Sequence, residues 1–221
     1  MSLMAFIMKK KYLLIVLLIT YSVFSQDKKN NLLKFDTSGM KTTILTHKSP
    51  VVDILKYNEN TINSFSFYQA YKAMAHGDLL ERLIPLEAIK EQAKQSYFTN
   101  VIPLAILHSD FEIIYDEALQ NNAVSKDAEG YLIRTNPNSE IFEIEHLTIT
   151  APLRTVSKGL QTTFKLATTN IFNTTEEDIV TIDIDFNDDE GFRTVNLDQN
   201  IIIDYSEPGR KIIDFELSEQ I

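Results

Sequence analysis

Apolar positions along this chain follow three successive patterns. Tyr12 to Phe24 is an uncharged, mostly apolar stretch behind the basic cluster Lys9, Lys10 and Lys11. From Gln26 to about Asn138, helical spacing mixes with short strand-like runs. Phe67, Tyr71, Met74 and the later Leu79 and Leu83 recur at roughly helical intervals, and Asn63 or Ser64 can cap the start. Pro85 opens a second helix at the position where a missing N–H costs least. Leu86, Ile89, Ala93 and Tyr97 give that helix one apolar stripe, with Glu87, Lys90, Glu91 and Lys94 facing water. Val101–Leu107 is continuously apolar, as a buried strand would be, while Phe111, Ile113 and Tyr115 alternate as in a strand with one wet face. Leu45–Leu55 follows neither period.

Past the turn cluster Asn136-Pro137-Asn138-Ser139 the helical period disappears. Six strands are predicted there: Ile141–Ile149, Leu160–Leu166, Val180–Phe186, Phe192–Leu197, Ile201–Tyr205 and Ile212–Leu217. Leu160, Phe164 and Leu166 share a face, as do Val180, Ile182, Ile184 and Phe186, and again Ile201, Ile203 and Tyr205. Short strands at such regular intervals predict an antiparallel sandwich of immunoglobulin-like size. The expected organisation is therefore a leader at 1–25, an α+β N-terminal domain at 26–138 and an all-β immunoglobulin-like sandwich at 139–221.

The leader reads as a secretory signal peptide. It has a basic start, a short apolar core, and Val23 and Ser25 before a cut that leaves Gln26 first. A membrane anchor needs about 20 apolar residues, and this core is shorter. No cysteine lies near the cut, which excludes lipoprotein acylation. The chain as a whole has no cysteine, so disulfides, thiol catalysis and thiolate metal centres are excluded too. Net charge is −10, and the leader carries lysines but no acid, so the exported part is more acidic still. Nucleic acid and anionic lipid, which need a basic surface, are poor partners for it.

Asp183-Ile184-Asp185-Phe186-Asn187-Asp188-Asp189 resembles the W-D-F-G-D-G hairpin of polycystic-kidney-disease (PKD) type immunoglobulin-like domains. Tyr205-Ser206-Glu207-Pro208-Gly209 resembles their tyrosine, short turn and glycine, and Lys211–Leu217 stands where their last strand would be. Ile184 replaces the usual tryptophan, and Asn187 and Asp189 replace both hairpin glycines. The exported chain also resembles N-terminal regions of large surface proteins of type IX secretion systems, in which segments like Phe35-Asp36-Thr37-Ser38-Gly39-Met40 open the mature chain. That resemblance implies more protein after Ile221, in some members a hydrolase domain followed by a sorting signal.

Candidate chemistry is sparse. Asp185, Asn187 and Asp189 have the Asp-x-Asn-x-Asp spacing that presents three oxygens to calcium from one loop. Gly191 falls one place late for an EF-hand and Asn196 stands at its twelfth position, which leaves a looser calcium site or a plain acidic turn. No other cofactor is expected. His47, His76, His108 and His146 are isolated, without metal-ligand spacing. His108-Ser109-Asp110 has triad residue types, but adjacent residues on an extended chain point different ways, and no Gly-x-Ser-x-Gly elbow is present. Glu143 with Glu145, and Glu87 with Glu91, are carboxylate pairs of a glycosidase kind, yet 31 acids produce such pairs by chance. Only six glycines occur, none clustered, so no phosphate loop exists.

The expectation is a non-catalytic extracellular module: a spacer, adhesion or accessory domain, secreted or held at the cell surface, with the periplasm as the alternative. Its expected partners are downstream domains of the same chain, a glycan or a surface protein. No nucleic acid and no membrane span after leader cleavage are expected. The alternatives are a carbohydrate-binding protein and the accessory front of a secreted hydrolase. A free-standing glycosidase ranks last.

Overall fold

The computed structural model describes residues 40–42, 62–114 and 116–220. The leader, the 35–39 segment, His47, Leu45–Leu55 and Tyr115 lie outside the described residues. Helix α1 spans Ser64–Gly77, and the Asn63 side chain accepts from the Ser66 amide at 2.9 Å. This is one of the two capping residues anticipated. Phe67, Ala70, Tyr71 and Met74 form its buried face. The helix stops before Leu79 and Leu83 because Asp78 turns the chain, its buried carboxylate accepting the Leu83 amide at 3.0 Å and the Arg82 Nε at 3.0 Å. Helix α2, Leu86–Thr99, starts directly after Pro85 and ends at left-handed Asn100. Ile89, Ala93 and Ser96 make its buried stripe; Tyr97, expected in that stripe, is exposed.

The two predicted runs 101–107 and 111–115 are one strand, β1, Val101–Ile114. After it come α3 (Asp116–Gln120), β2 (Val124–Lys126) and β3 (Leu132–Arg134). Then follow β4 (Phe142–Pro152), β5 (Gln161–Asn173), β6 (Asp178–Asp185), β7 (Arg193–Thr194), β8 (Asn200–Asp204) and β9 (Asp214–Gln220). All six strands expected past residue 139 are present, β7 cut to two residues.

The described chain divides into two compact units. The smaller, residues 116–141, holds α3 and the β2–β3 hairpin, whose turn is held by Asp127 Oδ1 accepting the Glu129 and Tyr131 amides. The larger, residues 40–114 and 142–220, holds a four-stranded sheet of order β4-β1-β5-β8 and a three-stranded sheet of order β7-β6-β9. Two expectations are corrected here. The sheet is mixed rather than antiparallel, because β1 and β5 run parallel. Nor does the chain divide at residues 138 and 139, since β1, from the expected first domain, is an inner strand beside β4 and β5. A parallel pair needs a long crossover connection, so the partners of β1 come from distant sequence.

Successive side chains on a strand point to opposite faces, and β1 is apolar on both. Ala105, Leu107, Phe111 and Ile113 join Phe67, Tyr71, Met74 and Ile89 of the helices in one core. Ile102, Leu104 and Ile106 join Phe164, Leu166, Ile182, Ile184, Phe186 and Ile203 in another, between the two sheets. Each leucine, isoleucine, methionine or phenylalanine among them contributes about 1.5–3 kcal/mol on burial. Double burial explains why Val101–Leu107 reads as continuously apolar. The β1–β5 ladder shifts register between Leu104 and Ile106, and in that irregularity Asn170 Nδ2 donates to the Leu104 carbonyl at 3.1 Å.

Candidate functional site

The acidic hairpin after β6 is held by its own polar groups. Asp185 Oδ1 accepts the Asn187 amide at 2.7 Å, and Asn187 and Asp189 are both left-handed, at φ 57° and 70°. Arg193 is the cation of this loop. Its guanidinium reaches Asp188 at 2.6 Å and Glu190 at 3.0 Å and lies 5.1 Å from the Phe186 ring centroid. The hydrogen bond from Arg193 holds the Asp188 carboxyl below the usual carboxylate range. Tyr205 closes the base of the loop, its hydroxyl donating to the Phe186 carbonyl at 2.9 Å. Burial, with Asp188 nearby, pushes that phenol up to about 12. The structure thus keeps Asp185, Asn187 and Asp189 in one turn, with Asp185 oriented toward the backbone.

The residues of His108-Ser109-Asp110 separate as expected. Ser109 Oγ meets Thr174 Oγ1 at 2.6 Å on the helix-facing side, and Asp110 meets His146 Nδ1 at 2.7 Å. Glu87 and Glu91 pair with Lys90 and Lys94 one turn on, and Glu143 is exposed.

A cleft of about 1080 Å³ lies where the two sheets stand apart, between β4 and β9. Its lining includes Thr150 and Pro152 of β4, Phe215 and Leu217 of β9, Ile213 just before β9, and Phe164. Arg154, two residues past the end of β4, lines this cleft although only 4% of it is exposed. Its guanidinium carbon lies 5.1 Å from the Tyr97 ring centroid, and Nη2 reaches Asn100 Oδ1 only at 3.5 Å. Nε has no hydrogen-bond partner, and among the described residues no carboxylate stands within ion-pair distance. Sequence reading missed this site. The available signal was an arginine a few residues past a predicted strand, with no acid within four residues on either side.

A second polar group closes the end of the inter-sheet core. His108 follows Leu104 and Ile106 on the same face of β1, and Glu219 follows Phe215 and Leu217 on the same face of β9. His108 is 2% exposed, with Nδ1 at 2.8 Å from Thr148 Oγ1 and 3.7 Å from Glu219 Oε1. Glu177 Oε2 lies 4.0 Å from Nε2, which has no hydrogen-bond partner. The histidine treated as isolated in sequence is thus flanked by two carboxylates. The missed signal was a polar residue at the next inward position of two apolar strands.

Compared with known protein families, curated proteins and solved structures, the chain matches none. Among the described residues no helix is long and apolar enough to cross a membrane.

Proposed function

We propose that this chain is a non-catalytic extracellular binding module whose cleft takes a ligand bearing a carboxylate or sulfate group. The observation that carries the reading is Arg154. A buried guanidinium with no counter-charge among the described residues is costly, and an anion entering beside it would supply a partner in the bidentate geometry that arginine favours. The cleft has the size of a small-ligand or oligosaccharide site, with apolar Phe164 and Phe215 beside polar Thr150, Thr162, Arg210 and Lys211 in its lining. Catalysis has no comparable support. The candidate serine, histidine and aspartate each have separate structural partners, Glu87 and Glu91 pair with lysines on the exposed face of α2, and Glu143 is exposed while Glu145 is half-buried.

The PKD-like, immunoglobulin-like reading of residues 139–221 remains part of this proposal. Asn187 and Asp189 stand where that family has glycines and are left-handed, a conformation that glycine adopts freely and asparagine and aspartate tolerate. Ile184, in place of the tryptophan, is fully buried, and Tyr205 bonds back to the hairpin. Export by the leader, a cell-surface or secreted destination, type IX secretion and a partner domain on the same chain complete the reading, on the residues quoted for them.

An array of neutral, uronic-acid and sulfated glycans tests it. Binding is expected among the anionic members and is expected to vanish in Arg154→Met, which keeps most of the side-chain bulk. Neutral-only binding that Arg154→Met leaves unchanged would discard the anion site. A hydrolase activity surviving His108→Ala and Ser109→Ala would discard the non-catalytic reading. Mass spectrometry of the exported protein should find Gln26 at its N-terminus.

A further inference from the structure

We infer that His108, Glu177 and Glu219 form a binding site for a divalent transition-metal ion of the zinc class. The ion would clamp β9 and the β5–β6 turn to the middle of β1. One ligand atom from each residue can be chosen so that all lie within 4.8 Å of one another. The inference rests on the buried ring nitrogen. When Nδ1 carries the proton and donates to Thr148, Nε2 presents a lone pair with nothing to satisfy it. That arrangement, the far nitrogen held by an outer partner and the near one free, is how proteins orient a metal-binding histidine. A proton on Nε2 is a poor substitute, since 4.0 Å to Glu177 exceeds hydrogen-bond reach.

The supporting turn is held by hydrogen bonds. Asn173 pairs with His108 in the β1–β5 ladder, and its Nδ2 donates to the Glu177 carbonyl at 2.6 Å. The Glu177 amide donates to Thr175 Oγ1 at 3.1 Å, and the Thr174 amide to the His108 carbonyl at 2.9 Å. Glu177 is therefore presented by backbone that is itself tied to the histidine. Glu219 stands nearer Nδ1 and reaches the ion by rotating its side chain, which is one-third exposed (33%) and free to turn. One imidazole and two carboxylates suit a borderline metal such as zinc, with water in the fourth position. Calcium, which takes oxygen ligands alone, is disfavoured by the histidine. The site is independent of the Arg154 cleft ligand.

The test is a zinc titration of the metal-free full chain, followed by melting temperature and by the ¹⁵N resonances of the His108 ring. Zinc is expected to raise the melting temperature and shift the Nε2 resonance. Cobalt should give the visible absorption of a low-coordinate site. Glu177→Gln and Glu219→Gln should each weaken zinc by about tenfold or more, the loss seen even for outer-shell partners. Glu216→Gln, an exposed neighbour on β9, should change nothing. An unmoved His108 resonance at millimolar zinc would overturn the site. So would zinc stabilisation that persists undiminished in the Glu177→Gln/Glu219→Gln double variant.

Discussion

The two faces of the central sheet are closed by different means. On the helix side, Phe67, Tyr71 and Phe172 interlock, with Tyr71 and Phe172 edge-on at 4.8 Å, and the Tyr71 hydroxyl donates to the Ile84 carbonyl at 2.9 Å. On the other side the three-stranded sheet meets its partner over Ile184 and Phe186 but stands away from β4, leaving the cleft. Ile213, Phe215 and Leu217 there are only partly buried. A helix can roll onto a sheet until its apolar stripe is covered, whereas two twisted sheets in contact at one edge diverge at the other. The candidate binding groups, Arg154 and the His108 cluster, belong to the diverging side. Rigidity and accessibility are thus divided between the faces of one strand.

Adjacent residues of β1 test that division most severely. Leu107 points into the helix core and Ile106 into the inter-sheet core, both fully buried. Leu107→Ala should cost about 3–5 kcal/mol and Ile106→Ala about 2–3 kcal/mol in chemical denaturation, because the cavity on the open side can relax. Equal costs would mean the two cores are equally unyielding.

Alkaline unfolding sharpens the comparison at smaller scale. Tyr68 and Tyr71 on the helix side and Tyr205 on the other are all raised, first by burial, Tyr68 and Tyr205 to about 12 and Tyr71 beyond that. A phenol that ionises later in the folded than in the unfolded state stabilises fully below about pH 10, its ordinary value. That stability drains away as pH rises toward the folded value. Tyr68→Phe and Tyr205→Phe should each flatten the loss between about pH 10 and 12, and Tyr205→Phe should cost about 1 kcal/mol at neutral pH through its lost hydrogen bond.

In acid the sign reverses. Asp188 is lowered chiefly by the hydrogen bond from Arg193, so its contribution is present above the ordinary carboxylate value and fades as pH falls through the lowered one. Arg193→Gln should remove that acid-limb slope at a cost of less than about 1 kcal/mol at neutral pH, since the pair is partly solvated. Smallest of all, Lys94→Ala on the exposed face of α2 should leave the denaturation midpoint unchanged.

Local pattern carried most elements and little of their arrangement. Asn63, Pro85 and the alternation through Ile182, Ile184 and Phe186 act on neighbours in sequence, and the elements they predict are present. Val180, placed on that same face by strict alternation, is exposed because the β6–β9 ladder shifts register between Ile179 and Thr181. No local signal marked that bulge. The parallel β1–β5 pairing was equally silent, since the turn cluster Asn136–Ser139 looks like a domain boundary yet falls, in sequence, between β1 and β4, two neighbours in one sheet. Arg154 and His108 left only faint signals for the same reason, as their surroundings come from distant sequence: Tyr97 and Asn100 for the arginine, Glu177 and Glu219 for the histidine.

The parallel pairing also governs timing. Ile106 lies opposite Thr150 on one side and Ile171 on the other, and no earlier strand of the described chain can serve in their place. A chain delivered N-terminus first would hold β1 out, apolar on both faces, until both later strands arrive. Long-range pairing of this kind forms slowly. The sheet cannot lock from its front end, so the polypeptide stays threadable until most of its length has emerged.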